Sequence, residues 1–148
     1  MAGNIRPKEA ISYTMSRIRS KNTKPEILVR KYLFSKGLRY RKNDKRYPGR
    51  PDIVLPKHNT MVFVNGCFWH MHEGKPCFSM PKTRREYWLP KLTRNYERDM
   101  ENIEKLRAAG WYVIVVWECE LKPKLKDKRL GKLMYEILAK PDDFIVSD

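Results

Sequence analysis

The chain has 148 residues, with 32 Lys+Arg against 17 Asp+Glu and a formal net charge of +15, a length that suits one domain with a real core. No apolar stretch reaches the length of a membrane span, and Met1 to Lys8 lacks the apolar segment of a secretory signal. Three cysteines cannot all pair with one another, which argues against a secreted disulfide scaffold and for a reducing, cytosolic compartment.

In chain order, residues 8 to 19 suit a helix, with Ile11, Met15 and Ile18 spaced 4 and 3 apart, and a turn from Ser20 to Thr23 breaks it. Thr23 and Glu26 form a capping-box pattern ahead of Ile27, Leu28, Tyr32 and Leu33, and Gly37 ends that second helix. A strand over Leu38–Lys42 and a turn over Tyr47–Pro51 follow. Asp52–Leu55 and Thr60–Val64 read as a strand pair joined through Pro56–Asn59. Residues 90 to 109 give the longest helix, with Leu92, Tyr96, Ile103 and Leu106 on one face and Gly110 as its stop. Trp111–Trp117 is a continuous apolar run, expected as a central buried strand whose Trp111 and Trp117 belong to the core. A last helix covers Lys128–Ala139. The order favours a mixed sheet with helices on both faces, an α/β fold.

The positive charge is unevenly placed. Residues 1 to 57 hold 16 Lys+Arg against 4 Asp+Glu, so 12 of the +15 lies there. A basic face of that kind suits a phosphate-backbone partner, against the plainer reading of a solvated surface. A membrane partner is disfavoured, because no strongly apolar face opposes a basic one.

Chemistry concentrates at residues 66 to 72, Gly-Cys-Phe-Trp-His-Met-His. Cys67, His72 and Cys77 have the order C-x4-H-x4-C, and Cys119 is the one other cysteine. Thiolate and imidazole are zinc's preferred donors, and four protein ligands make a closed structural site. The 41-residue gap before Cys119 suits a site that ties a loop to the end of a strand. The plainer alternative is a set of ordinary buried thiols.

Asp52, after Gly49-Arg50-Pro51, opens a strand whose neighbour ends at Val64-Asn65. That arrangement resembles nucleases of the PD-(D/E)xK type, whose acid binds Mg²⁺. The acid-x-lysine half of their motif is missing, because Phe63-Val64-Asn65 stands in its place. Another proton acceptor is then needed, and His70 is the candidate, although a lone histidine is often structural. Phe68, Trp69, Tyr87 and Trp88 bracket the segment and could stack on exposed bases or simply pack a core. Because consecutive residues point in different directions, at least one of Phe68 and Trp69 is not expected to be fully core.

Taken together, these residues resemble the very short patch repair DNA mismatch endonucleases over roughly residues 9 to 122. The anchors are Pro48-Gly-Arg-Pro-Asp52, Gly66-Cys-Phe-Trp-His70, Glu86-Tyr-Trp88, Asn95-Tyr-Glu-Arg-Asp99 and Gly110-Trp with Val116-Trp-Glu-Cys119. The resemblance implies a restriction-endonuclease-like fold with an added structural zinc. It implies a Mg²⁺-dependent nick 5′ of the mismatched thymine in T:G mispairs of double-stranded DNA. It also implies a single nuclease domain, with 1–22 a DNA-contacting helix, 23–122 the catalytic core and 123–148 a C-terminal helix and tail. A monomer in the cytoplasm, associated with a bacterial nucleoid, is expected, with mismatch-repair proteins as further partners.

Residue by residue, Asp52 and the main-chain carbonyl of Val64 match the Mg²⁺ ligands, His70 the catalytic histidine, and Glu26 an acid near that site. Phe68, Trp69 and Trp88 match an aromatic wedge, and Met15 lies on the element that enters the minor groove. Cys67, His72, Cys77 and Cys119 match the zinc ligands. Asn65 departs from the pattern, standing where some members carry a second histidine that contacts the phosphate, and its amide can donate a hydrogen bond but shuttle no proton. Cys77 also sits a few residues later than in the most compact form of the motif, with Glu73 to Pro76 as a loop insertion. Two rivals share the fold or the metal: a restriction or defence endonuclease cutting matched DNA, and a catalytically silent zinc-containing DNA-binding module.

Overall fold

Alternation along three strands decides how the molecule is layered. The computed structural model describes residues 23–72 and 74–140. Its sheet runs in the order β1 (Arg41–Lys42), β2 (Ile53–Leu55), β3 (Thr60–Asn65), β4 (Tyr112–Trp117). β1–β2 and β2–β3 are antiparallel, and β3–β4 is parallel in the register Thr60↔Tyr112 to Asn65↔Trp117. Side chains of successive strand residues leave opposite faces. Ile53, Leu55, Val62, Val64, Ile114 and Val116 therefore meet helices α1 (Lys24–Ser35) and α3 (Lys126–Ala139) on one side. Val54, Met61 and Val113 meet helix α2 (Arg85–Ala108) on the other. Each fully buried Leu or Ile side chain there contributes roughly 1.5–3 kcal/mol.

α1 starts at Thr23, whose hydroxyl accepts the Glu26 N–H at 3.4 Å and donates to the Glu26 carboxylate at 3.3 Å. Its end is made by Gly37 at φ +87°, a left-handed residue that lets the Leu38 N–H reach back to the Leu33 carbonyl. Between β2 and β3 the chain makes a 3₁₀ turn, Pro56–His58, closed by left-handed Asn59, whose amide reaches the Gly110 carbonyl at 2.7 Å.

Several sequence expectations need correction. The strand expected over Leu38–Lys42 shrinks to two residues, because β2 is short and Asn43 turns away at φ +47°. The long helix begins at Arg85, with Pro90 inside it. That proline withholds one N–H from the exposed Glu86 turn, while Tyr87 and Trp88 pack edge-to-face at 5.1 Å. α3 begins two residues earlier than expected, at Lys126. β4 is an edge strand among the described residues, although expected to be central. Its apolar run reflects helices over both faces of the sheet, which pairing number does not determine. Trp111, partly buried, packs against the cluster of Val54, Met61 and Val113 as expected, whereas Trp117 is only half-buried. The helix expected over 8–19, its Met15 and the tail beyond residue 140 lie outside the described residues.

Candidate active site and metal centre

Parallel pairing of β3 and β4 brings two loops together in step. Asn65 faces Trp117, so residues two further on, Cys67 and Cys119, emerge side by side at the same end of the sheet. Cys119 is carried by a 3₁₀ turn, Glu118–Leu121, directly after β4. After Cys67 the backbone coils tightly: His70 N–H reaches the Gly66 carbonyl at 3.2 Å, and His72 N–H the Cys67 carbonyl at 3.0 Å. Met71 takes φ +49° within this coil and buries its side chain, which returns His72 toward Cys67.

The donor atoms of Cys67, His72, Cys77 and Cys119 all lie within 4.8 Å of one another. A tetrahedron with zinc-type bond lengths needs ligand separations of about 3.5–3.8 Å, so modest contraction closes the group around one ion. His72 Nδ1 lies 3.1 Å from the Cys77 sulfur and 3.6 Å from that of Cys119. Trp117 stacks flat on the His72 ring, 3.9 Å between centroids and 2° between planes, which fixes the imidazole's plane. The indole expected in the core thus backs a metal-type ligand. Burial, then the neighbouring thiols, pushes the Cys67 thiol up to about 12, and burial lowers the His72 imidazole. A bound cation reverses the first effect by deprotonating a coordinating thiol.

Beside this cluster opens a cleft of about 600 Å³ lined by Glu26, Asp52, Val64, Asn65 and His70 among others. With Trp69, six residues singled out from the sequence therefore meet in one cavity. Asp52 stands just before β2 and accepts the Val64 N–H at 2.6 Å. In the β2–β3 register the residue opposite Val64 is Pro51, which has no N–H and turns its carbonyl to the Asp44 N–H at 3.3 Å. The ladder stops there, and Val64's amide goes to the Asp52 carboxylate. Burial, then the charge of Glu26, raises the Asp52 carboxyl to about 7. Glu26 is itself buried, held by Arg30 at 3.2 Å and by the Asn43 amide at 3.4 Å. Its cap at Thr23 and its place in the cleft are therefore shared roles of one side chain.

His70 Nδ1 lies 2.5 Å from the Asp99 carboxylate. In the sequence Asp99 stands only within the anchor Asn95-Tyr-Glu-Arg-Asp99, which does not by itself point to this contact. The signal was available: Lys91, Asn95 and Asp99 recur every four residues on α2 and form a polar stripe facing the cleft. Asn95 donates its amide to the Trp69 carbonyl at 3.4 Å, holding the coil from the same stripe.

Phe68, Trp69 and Trp88 form one half-exposed cluster, with centroids 5.2 Å (Phe68–Trp69), 5.3 Å (Phe68–Trp88) and 5.9 Å (Trp69–Trp88) apart. The two consecutive rings share this cluster and neither is fully buried, because the turn geometry of residues 67–71 replaces the alternation of a strand. Met15 lies outside the described residues and joins none of these groups. No helix among the described residues is long and apolar enough to cross a membrane.

A strongly basic chain that gathers acids, an imidazole and surface aromatics around one cleft has the makings of an enzyme acting on nucleic acid. Comparison with known proteins narrows the class. A family model described as DNA mismatch endonuclease Vsr matches residues 4–75. The type II nicking enzyme V.NmeAIP of Neisseria meningitidis is 54% identical over 127 residues, covering 85% of this chain and 90% of that protein. The type II nicking enzyme V.XorIIP of Xanthomonas oryzae is 50% identical over 109 residues, 74% of this chain and 79% of that one. The DNA mismatch endonuclease Vsr of Escherichia coli is 38% identical over 135 residues, 90% and 86% of the two chains. The chain belongs to the DNA mismatch endonuclease Vsr family. It is an endonuclease whose substrate is DNA.

Proposed function

We propose that the protein nicks one strand of duplex DNA on the 5′ side of the mismatched thymine in a T:G mispair. The observation that carries this reading is the meeting of Asp52 and His70 in one cleft that is also lined by Trp69, a member of the Phe68–Trp69–Trp88 cluster. The fold is read as restriction-endonuclease-like, in one nuclease domain: residues 1–22 contact DNA, 23–122 form the catalytic core, and 123–148 the C-terminal helix and tail. The protein acts as a cytoplasmic monomer, since a mispair is asymmetric and one strand is cut. Mismatch-repair proteins are its further partners.

The donor chemistry fits two different ions. Asp52 and the Val64 carbonyl are hard oxygen donors suited to Mg²⁺. In extended backbone a residue's N–H and C=O leave the same edge of the strand. Val64's carbonyl therefore shares the edge of the N–H given to Asp52, where Pro51 has no donor to occupy it. The soft set of Cys67, His72, Cys77 and Cys119 suits Zn²⁺ as a structural staple. When bound, Mg²⁺ supplies Lewis-acid stabilisation of charge on the scissile phosphate.

The chain's own groups do the rest. Asp99 holds Nδ1 of His70, leaving Nε2 to take a proton from the attacking water. Glu26 keeps the Asp52 carboxyl in need of a cation. Asn65, buried at the cleft, donates its amide hydrogens to a phosphate oxygen. Phe68, Trp69 and Trp88 stack against bases opened at the weakened mispair, each contact worth on the order of 1–3 kcal/mol. Met15 wedges from the minor-groove side.

The test is a pair of labelled duplexes, T:G and T:A, incubated with protein and Mg²⁺, with breaks mapped to the nucleotide. Scission beside the mispaired thymine of the T:G duplex alone supports the reading. Equal cutting of both selects a restriction-type enzyme, and binding without cutting selects a silent DNA-binding module.

A further inference from the structure

The cleft is rich in acid for a site that must receive a phosphodiester. Among the described residues Glu26, Asp52, Asp99 and Glu118 line it, against two permanent cations, Arg50 and Lys91. Lys91 lies over the Tyr87 ring, 6.0 Å from its centroid. Arg50 makes no side-chain hydrogen bond or ion pair among the described residues.

The backbone holds Arg50 firmly. Its N–H closes a turn on the Tyr47 carbonyl at 3.0 Å. At Gly49, φ +78°, an added Cβ would meet Asn102 and Phe63 at 3.2 Å, so the turn is pressed against α2 and β3. Arg50 then takes φ +47°, a left-handed conformation that Gly or Asn holds with less strain. Turn geometry alone gives no reason for an arginine there, and a strained non-glycine residue at a cleft points to a use for its side chain. Buried Pro51 follows, and Asp52 comes next, so the backbone from which the exposed Arg50 side chain springs is held two residues before the site carboxylate.

We infer that Arg50 grips a phosphate of the strand to be cut, acting as the anion clamp of the cleft. This rests on the nicking reading above. The planar guanidinium fork suits two phosphate oxygens at once, which a lysine's point charge does not reproduce. Asn65 offers the phosphate only a neutral amide, so the charged contact comes from the turn before Asp52.

The test uses the full chain, a T:G duplex with Mg²⁺, and the variants Arg50→Asn and Arg50→Lys. Asparagine tolerates the left-handed backbone, so Arg50→Asn should melt no lower than the parent. We expect Arg50→Asn to lose roughly 10- to 100-fold in kcat/KM, the range of one charge-assisted hydrogen bond. Arg50→Lys should fall between the two. The salt dependence of duplex binding should lose about one unit of slope in Arg50→Asn. Phosphates around the mispair are then replaced singly by neutral methylphosphonates, and binding is measured without Mg²⁺. At one position the parent should weaken to the level of Arg50→Asn, which itself loses nothing further there. Parent-like nicking by Arg50→Asn, or a deficit undiminished at every neutralised phosphate, overturns the clamp. Failure of the parent to nick T:G duplex overturns the reading of function instead, and an unchanged salt slope would then sink the clamp independently.

Discussion

His70 and Asp99 are joined by a 2.5 Å contact between Nδ1 and a carboxylate oxygen, spanning from the coil after β3 to the middle of α2. A carboxylate only accepts, so Nδ1 carries the proton and Nε2 is left as the basic nitrogen. Asn95, one turn earlier on α2, holds the same coil through the Trp69 carbonyl. The imidazole is thus aimed from the helix, with its own coil supplying only the attachment.

Asp99→Asn should therefore lower the nicking rate while leaving duplex affinity nearly unchanged. A misplaced or wrongly tautomeric base loses about 100-fold or more in kcat. His70→Ala should lose a similar factor, and the double variant should lose little beyond either single one. Additive losses in single-turnover nicking would mean that Asp99 does not act through His70.

Asp52 supplies a pH signature. Its carboxyl is raised to about 7 by burial and by the charge of Glu26, whereas in the unfolded chain it titrates near ~4. Between those values the folded protein keeps a proton that the unfolded chain has released. Stability from this group is thus fully present below the unfolded value and is lost as pH rises to the folded one, at about 1.4 kcal/mol per pH unit. Asp52→Asn removes the titration. Without added divalent cations it should melt above the parent at pH 8, with the gap narrowing as pH falls toward 4, and it should nick at neither. A gap independent of pH would count against the burial argument.

How much of this was legible in the sequence follows from what each signal measures. Cys67, His72, Cys77 and Cys119 stood out because soft ligands are rare in this chain, and the parallel register of β3 and β4 explains why so distant a cysteine reaches the group. Asp52 and Glu26 were legible by residue type, while their shared cleft depends on a ladder that stops at Pro51. The apolar run of β4 reports burial on both faces and is silent on pairing, so it suggests a central strand where, among the described residues, an edge strand lies. Trp117 was misplaced for the same reason, since stacking on His72 leaves no periodic trace. Asp99 is hidden because the apolar face dominates the helix's pattern, although its polar stripe repeats every four residues.

With zinc bound, the group of Cys67, His72, Cys77 and Cys119 should act as a structural staple. Residues 66–72 and 74–78 carry no helix or strand, and the backbone hydrogen bonds between them close turns. Removing the ion with a strong chelator, or replacing Cys119 with Ser, should lower the melting temperature by on the order of 10 °C, as expected for a loss of about 3 kcal/mol or more. Aromatic near-ultraviolet dichroism should weaken too, because Trp117 and Phe68 pack on the coil that comes loose. Unchanged melting in protein shown to be metal-free would remove the staple.

The aromatic cluster should separate binding from stability. Trp88 sits on α2 and meets Phe68 edge-on at 5.3 Å, half-exposed. Trp88→Ala should weaken affinity for T:G duplex by roughly 10- to 100-fold through the loss of one stacking surface, and affinity for matched duplex by much less. Equal loss on both duplexes in a titration would assign the indole to packing alone.

Arg129 makes the last connection, from α3 back to the turn that carries Cys119. Its guanidinium bonds Glu120 at 3.1 Å, Glu136 at 3.1 Å and the Val115 carbonyl at 3.4 Å. Glu120 in turn accepts the Trp117 N–H at 2.8 Å, so one arginine ties the helix to the residues on either side of Cys119. Glu136 is almost fully buried, and its second oxygen has no hydrogen-bond partner among the described residues. Arg129→Met should thus strand a carboxylate in the core and destabilise by about 3–5 kcal/mol. Adding Glu136→Leu removes the stranded charge, and the double variant should recover most of that loss on thermal melting. If Arg129 also positions the turn, the double variant will melt near the parent yet hold cobalt at the thiol cluster more weakly by absorption titration. Parental cobalt affinity would confine the arginine to offsetting Glu136.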